Sequence, residues 1–261
     1  MKRTSSEELC GALGLLNIEK NKTYIIHSSL FSFGLIEDGC KGVMQCLESV
    51  LGSEATIIMP TFTFSYANSR QWICNSTKSE TGVLTEYFRN LNYTARTIHP
   101  FHSLSVSGPN SKLYTSCTNL SSFGPNSPFE VLIRENAINI GLGIGLVGGA
   151  TFLHYTEEFS QVPYRYYKEF LGMVIDQDGN IMKDSYSMYV RKINEQSEYE
   201  NDWEWIDRDL IKEGIYKKII LKGAEIFTMN TRLAHEFFLG KILENPYYCS
   251  RKVIKKGRMN K

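Results

Sequence analysis

The chain lacks most of what would mark a membrane, nucleic-acid or disulfide-rich protein. It contains no apolar run of the roughly 18 residues that crossing a bilayer requires, so no transmembrane helix is expected. It has almost no excess charge: 29 Lys and Arg against 28 Asp and Glu leave a formal net charge of +1, which removes the electrostatic case for nucleic acid. The six cysteines (10, 40, 46, 74, 117 and 249) form no C-x-x-C pair. They read as free thiols of a reducing compartment, not as a zinc site or a disulfide framework. The N-terminal stretch does not read as a secretory signal, because Glu7 and Glu8 stand where an apolar segment should begin. A cytoplasmic location is therefore expected. No internal repeat or low-complexity segment is present.

What remains is an ordinary globular composition, 42% hydrophobic and 22% charged over 261 residues. That length buries a full core and suits one large α/β domain, or one with a modest insertion. Ser5 and Glu8 form a capping box ahead of a helix carrying Leu9, Ala12, Leu13 and Leu16 on one face. Thr23–Ile26 reads as a buried strand ending in His27-Ser28-Ser29. Asp38 is expected to cap a helix through Val50, stopped by Gly52. A second strand, Ala55–Met59, runs into Pro60-Thr61-Phe62-Thr63. A helix is expected over Thr81–Asn90, and strands over His102–Val106 and Ala137–Ile140. The glycine-rich GLGIGLVGG follows, and then a helix opening at Thr151. Gly172–Ile181 resembles a hairpin with an Asp178-Gly179 turn, and helices return near 206–214 and 230–243. Polar clusters thus follow the strands, where α/β folds place ligand sites.

Four constellations carry chemistry. With Thr151 as N-cap, His154 falls in the first turn of a helix, where the macrodipole keeps imidazole neutral. Glu157 lies on the same face and can hold one ring nitrogen. A surface His-Glu pair is the plainer interpretation of that spacing. His99 and His102, with His154, could ligate zinc as in a hydrolase, although neither His99 nor His102 sits on a regular helix. His27-Ser28-Ser29-Leu30 and Thr61 to Thr63 supply hydroxyls and turn amides that could hold a pantetheine arm or an oxyanion; alone they are ordinary turn residues. Gly143, Gly145 and Gly148 fit G-x-G-x-x-G, but Pro163 soon ends the following helix, and the acidic candidates at a later strand end, Asp176 and Asp178, lie farther on than the usual roughly 20 positions. They are read as a flexible turn that brings His154 to the site. Tyr155, Tyr164, Tyr166 and Tyr167 could stack on a sugar or simply pack. Residues 251–261 form a basic tail.

Taken in order, HSSLFSFG (27–34), MPTFTF (59–64), TGVLTEYFR (81–89), RTIHPFHSLSVSG (96–108), FGPNSPFEVL (123–132) and TFLHYTEE (151–158) resemble the aminoglycoside 3-N-acetyltransferase family, which is unrelated in fold to the GNAT enzymes. The resemblance covers residues 5 to 160 well and the remainder weakly. It implies a single α/β domain over 1–261, with a mixed central sheet flanked by helices and a small additional β-containing region. It implies acetyl-CoA as donor, His154 as general base and Glu157 as its partner; no metal is expected, given the irregular positions of His99 and His102. His27, Ser28, Ser29, Leu30, Thr61, Thr63, Arg96, His99, Ser103 and Thr151 would line the donor and reaction site, and Tyr155, Glu158 and Tyr164 would meet the acceptor. The near-zero net charge favours an amino sugar of few positive charges, nucleotide-linked acceptors included, over a polycationic aminoglycoside with antibiotic resistance as its consequence. Arg165 or Lys168 would pair with a phosphate. A homo-oligomer is compatible with the sequence. Ala150, and the poorly matched stretch beyond 165, depart from the family pattern.

Overall fold

The computed structural model describes residues 3–194, 197–201 and 206–254. Its centre is a seven-stranded mixed sheet in the order Tyr216–Leu221, Ala224–Asn230, Ile138–Leu142, Thr23–Ser28, Thr56–Pro60, Leu104–Ser107, Ala95–Arg96. The three middle strands, Ile138–Leu142, Thr23–Ser28 and Thr56–Pro60, run parallel, and the flanking pairs are antiparallel. Smaller sheets surround it. The largest pairs a long hairpin, Arg165–Ile175 with Ile181–Arg191, to Gln71–Ile73.

Strand alternation distributes the core. Tyr24 and Ile26 face one layer, with the helices Ser6–Gly14 and Gly39–Leu51; Ile25 faces the other, with Phe152, Leu153 and Phe238. The same alternation turns His27 toward the second layer and the helix Leu153–Phe159. Close approach explains the glycines at the end of Ile138–Leu142. A Cβ on Gly141 would overlap the Phe227 ring, and Gly143, at φ +70°, lies against the Ser29 carbonyl. These contacts are packing constraints, with no dinucleotide fingerprint needed to account for them.

Several expectations change. The Ser5–Glu8 capping box is present in both directions. Asp38 makes no side-chain cap and instead adopts a left-handed conformation before Gly39. The helix expected from Thr151 begins at Leu153, with Phe152 in the cap position, because the Thr151 hydroxyl is drawn to His27. The hairpin spans eleven residues a side, far beyond Gly172–Ile181, with Gly179 at its turn. Cys10 and Cys46 are paired as a disulfide across the first two helices, with Cα atoms 5.4 Å apart, so only four cysteines are free thiols. The pairing joins residues 36 apart and so leaves no local spacing signal. In the basic tail, residues up to 254 end the strand Ser250–Ile254, and 255–261 lie outside the described residues. No helix among the described residues is long and apolar enough to cross a membrane.

Candidate active site

The carboxyl ends of the parallel strands open into a cavity of about 580 Å³. His27 and Ser28 come from Thr23–Ser28, and Pro60 and Phe62 from the end of Thr56–Pro60. Ile144, Gly148, Thr151 and His154 follow Ile138–Leu142. Such crevices at parallel strand ends are the usual place for ligands in α/β sheets. The opposite wall is the hairpin, through Arg165, Met188, Tyr189, Val190 and Arg191.

His154 lies at the start of its helix with its side chain about a quarter exposed. Its Nδ1 makes a short contact with Glu157 Oε2. Glu157 is buried and also receives Arg165 Nη2 at 2.9 Å and the Tyr164 hydroxyl at 2.7 Å. Burial works to raise its pKa, but Arg165 and His154 outweigh that and hold it at about 2. An ionised carboxylate only accepts hydrogen bonds. Nδ1 of His154 therefore carries the ring proton, which puts the lone pair on Nε2. Burial lowers the His154 pKa, against the pull of Glu157 upward. The net shift is downward, which keeps the imidazole neutral at pH 7.

His27 is buried behind Thr151. Asn139 Nδ2 donates to the Gly149 carbonyl at 2.7 Å, so its Oδ1 accepts from His27 Nδ1 at 3.1 Å. The Thr151 hydroxyl then donates to His27 Nε2 at 2.9 Å. Both ring nitrogens are engaged, so His27 is not available as a base for Ser28.

Not every candidate reaches the cavity. Thr61 and Ser103 are fully buried and bonded to each other's backbones. Thr63 reaches the Lys78 carbonyl, and Ser29 and Leu30 are beside the cavity wall, not on it. Because alternate residues point opposite ways after Pro60, the rings of Phe62 and Phe64 face the cavity in place of the hydroxyls. Tyr155 packs near His235, and Glu158 is buried against Ser121; Tyr164 supports Glu157. All three expected acceptor contacts are therefore internal. His99 Nδ1 accepts the amides of Phe101 and His102, while His102 lines the cavity with Nδ1 at 2.8 Å from the Ser122 hydroxyl. Among the described residues no three His, Cys, Asp or Glu side chains group as metal ligands would. Thr81, Thr85 and Phe123, which lie in the quoted motifs without an expected role, line the cavity together with Arg191, Ile193 and Asn201.

Arg96 is a clamp inside the protein. It donates to the carbonyls of Thr61, Cys74 and Thr77 and to the Ser103 hydroxyl, and its guanidinium lies 4.7 Å from the Trp72 ring. Burial lowers its pKa to about 10, still charged at neutral pH. Each buried carbonyl left without its donor costs about 1–3 kcal/mol. Arg96→Ala is therefore expected to lose several kcal/mol in denaturant unfolding. The rise in melting temperature given by saturating acetyl-CoA should survive in the variant; its disappearance would return Arg96 to the donor site.

The buried histidines also set the acid limit. Burial pushes His27 and His99 down to about 4, and His102 well below its ordinary value. The unfolded chain therefore binds more protons than the folded one below about pH 6.5. Stability is full above that pH and is lost as pH falls toward 4. The melting temperature should drop by about 10 °C between pH 7 and 5. An unchanged value would contradict neutral burial of these rings.

Fold and site together define a mixed α/β protein with a histidine–carboxylate pair at the crevice of a parallel sheet core. The aminoglycoside 3-N-acetyltransferase family profile matches residues 25–241. The chain belongs to that family, a class of acetyl-CoA-dependent N-acetyltransferases, in agreement with its ordered motifs. Aminoglycoside N(3)-acetyltransferase IV of Salmonella sp is 27% identical over 182 residues, covering 69% of this chain and 67% of its own length. An SPbeta prophage-derived aminoglycoside N(3')-acetyltransferase-like protein of Bacillus subtilis is 28% identical over 177 residues, covering 59% and 64%. The chain thus spans about two thirds of the length of these curated relatives. Solved structures agree in fold. The apoenzyme of aminoglycoside acetyltransferase AAC(3)-IVa has a TM-score of 0.77 at 22% identity, covering 95% of this chain and 92% of its own. AAC-IIIb, solved as a binary complex with CoASH, has 0.78 at 17%, covering 93% and 97%.

Proposed function

We propose that this protein transfers an acetyl group from acetyl-CoA directly to an amino group of an amino sugar, with His154 as the general base. The observation that carries this reading is the Arg165–Glu157–His154 relay on the wall of the cavity of about 580 Å³. Glu157 fixes the ring and its tautomer, so Nε2 takes the proton as the amine attacks the thioester carbonyl. The N–H groups of Ser29, Thr61 and Thr63 already donate to backbone carbonyls, and the Thr151 hydroxyl to His27. They are therefore poor candidates for the oxyanion; the Ser28 hydroxyl, on the cavity wall, is the group we assign to it.

Two results test direct, metal-independent transfer. Activity should persist after exhaustive chelation, and intact-mass analysis of enzyme mixed with acetyl-CoA alone should find no acetylated protein. Stoichiometric zinc with activity lost on its removal and restored on re-addition would favour a hydrolase. A Ser28 acetyl adduct that decays on adding amine would replace direct transfer with a two-step route.

A further inference from the structure

A second depression of about 430 Å³ lies beside the cavity along the hairpin, and Phe64, Met188, Val190, Arg191 and Ile193 belong to the walls of both. Pairing in the hairpin sets Tyr166 opposite Val190, Lys168 opposite Met188 and Phe170 opposite Tyr186. Because alternate residues share a face, Tyr166, Lys168, Phe170, Met188 and Val190 form one groove floor, while Arg191, paired with Arg165, belongs to the other face and borders the groove where it meets the cavity. Phe170 lies between two cations, Lys168 at 5.3 Å and Arg70 at 4.8 Å from its ring centre.

Among the described residues, the charges that line this path have one sign. Among the described residues, no Asp or Glu lines either the cavity or the groove. Asp184 is on the same hairpin face but farther along, opposite Gly172, and is not part of the groove. Arg165 is committed to Glu157 and buried. Arg191 is held by a hydrogen bond to the Tyr199 carbonyl at 3.1 Å, and neither it nor Lys168 makes an ion pair among the described residues. A polycationic acceptor would meet like charge here, whereas a phosphate would meet two cations on an aromatic and apolar floor that a base can stack on.

We propose that this groove holds an anionic extension of the acceptor, of the kind carried by a nucleoside-diphosphate-linked amino sugar, with Arg191 and Lys168 facing its phosphates. The inference rests on the N-acetyltransferase reading and narrows its acceptor. Arg191, at the junction, takes the phosphate nearest the sugar. Lys168 takes the next, and the exposed Tyr166 ring meets the base. Arg165, foreseen as a phosphate partner, is replaced in that role by Arg191.

The test measures kcat/KM for a uridine-diphosphate-linked amino sugar, the same amino sugar without the nucleotide, and an aminoglycoside, in wild type, Arg191→Gln and Lys168→Glu. Wild type should prefer the nucleotide-linked acceptor, and each variant should lower its preference over the bare sugar by about tenfold. Titration of UDP into protein saturated with CoA gives a readout independent of turnover, and UDP binding should weaken in both variants. Equal losses on both sugars would overturn the proposal, as would preference for the aminoglycoside. A rise confined to the KM for acetyl-CoA would assign the groove to the donor. If no amine in the set is acetylated, the transferase reading falls with it; acetylation of the bare sugar alone sinks only the anionic acceptor.

Discussion

Replacing His154 by alanine is expected to lower turnover by about two to four orders of magnitude while acetyl-CoA still binds. Its ring is the titratable group on the cavity wall that combines access with an ionised carboxylate behind it. Removal of the ring leaves Glu157 held by Arg165 and Tyr164, so the fold around the site should persist and the loss should lie in kcat. The pH profile adds a second readout. Burial holds the His154 pKa below its ordinary value, so the base is neutral at pH 7 and the acid limb of kcat/KM should fall below about pH 6.5. That limb should vanish from the residual activity of the alanine variant. Turnover near wild type in that variant would remove His154 from the chemistry.

The second large effect is expected at Glu157. Glu157→Ala strips the buried Arg165 guanidinium of its carboxylate and leaves the Tyr164 hydroxyl without its acceptor. Breaking a buried pair from one side typically costs about 3–5 kcal/mol, so the variant should unfold at markedly lower denaturant. Glu157→Gln keeps the shape and an acceptor oxygen for Nδ1, so it should cost less stability than Glu157→Ala and less rate than His154→Ala. The sign with pH is fixed by the depressed pKa. The stabilisation from Glu157 is present above the unfolded carboxyl value near 4.5 and is lost as pH falls toward 2. Denaturant midpoints for Glu157→Gln and wild type should therefore converge at low pH. A constant gap from pH 7 to 3 would show that ionisation of Glu157 contributes nothing.

Much of this was legible because local patterns suffice for it. The capping box at Ser5 and Glu8, the β-branched run at Thr23–Ile26 and the i, i+3 spacing of His154 and Glu157 each depend on neighbours in the chain. What escaped depends on distant partners. Thr151 looks like an N-cap until His27, 124 residues away, takes its hydroxyl. Arg96 looks like a ligand-binding cation until three carbonyls from other segments surround it. The hydroxyls of Thr61 and Thr63 and the rings of Phe62 and Phe64 share one short segment, and only its position against Leu104–Ser107 decides which set faces the cavity. The hairpin Tyr216–Leu221 with Ala224–Asn230 was missed although Lys222 and Gly223 both have positive φ, as its two-residue turn needs. Lysine at the first of those positions hid the usual Asn-Gly signal.

The central claim is amine-dependent acetyl transfer, and it is tested most directly by thiol release from acetyl-CoA by the purified protein. The acceptors are a panel of amino sugars, nucleotide-linked amino sugars and aminoglycosides. The account expects thiol to appear only with an amine present, in step with an equal amount of N-acetylated product. Release at the same rate with and without every amine, or none with any of them, would contradict it.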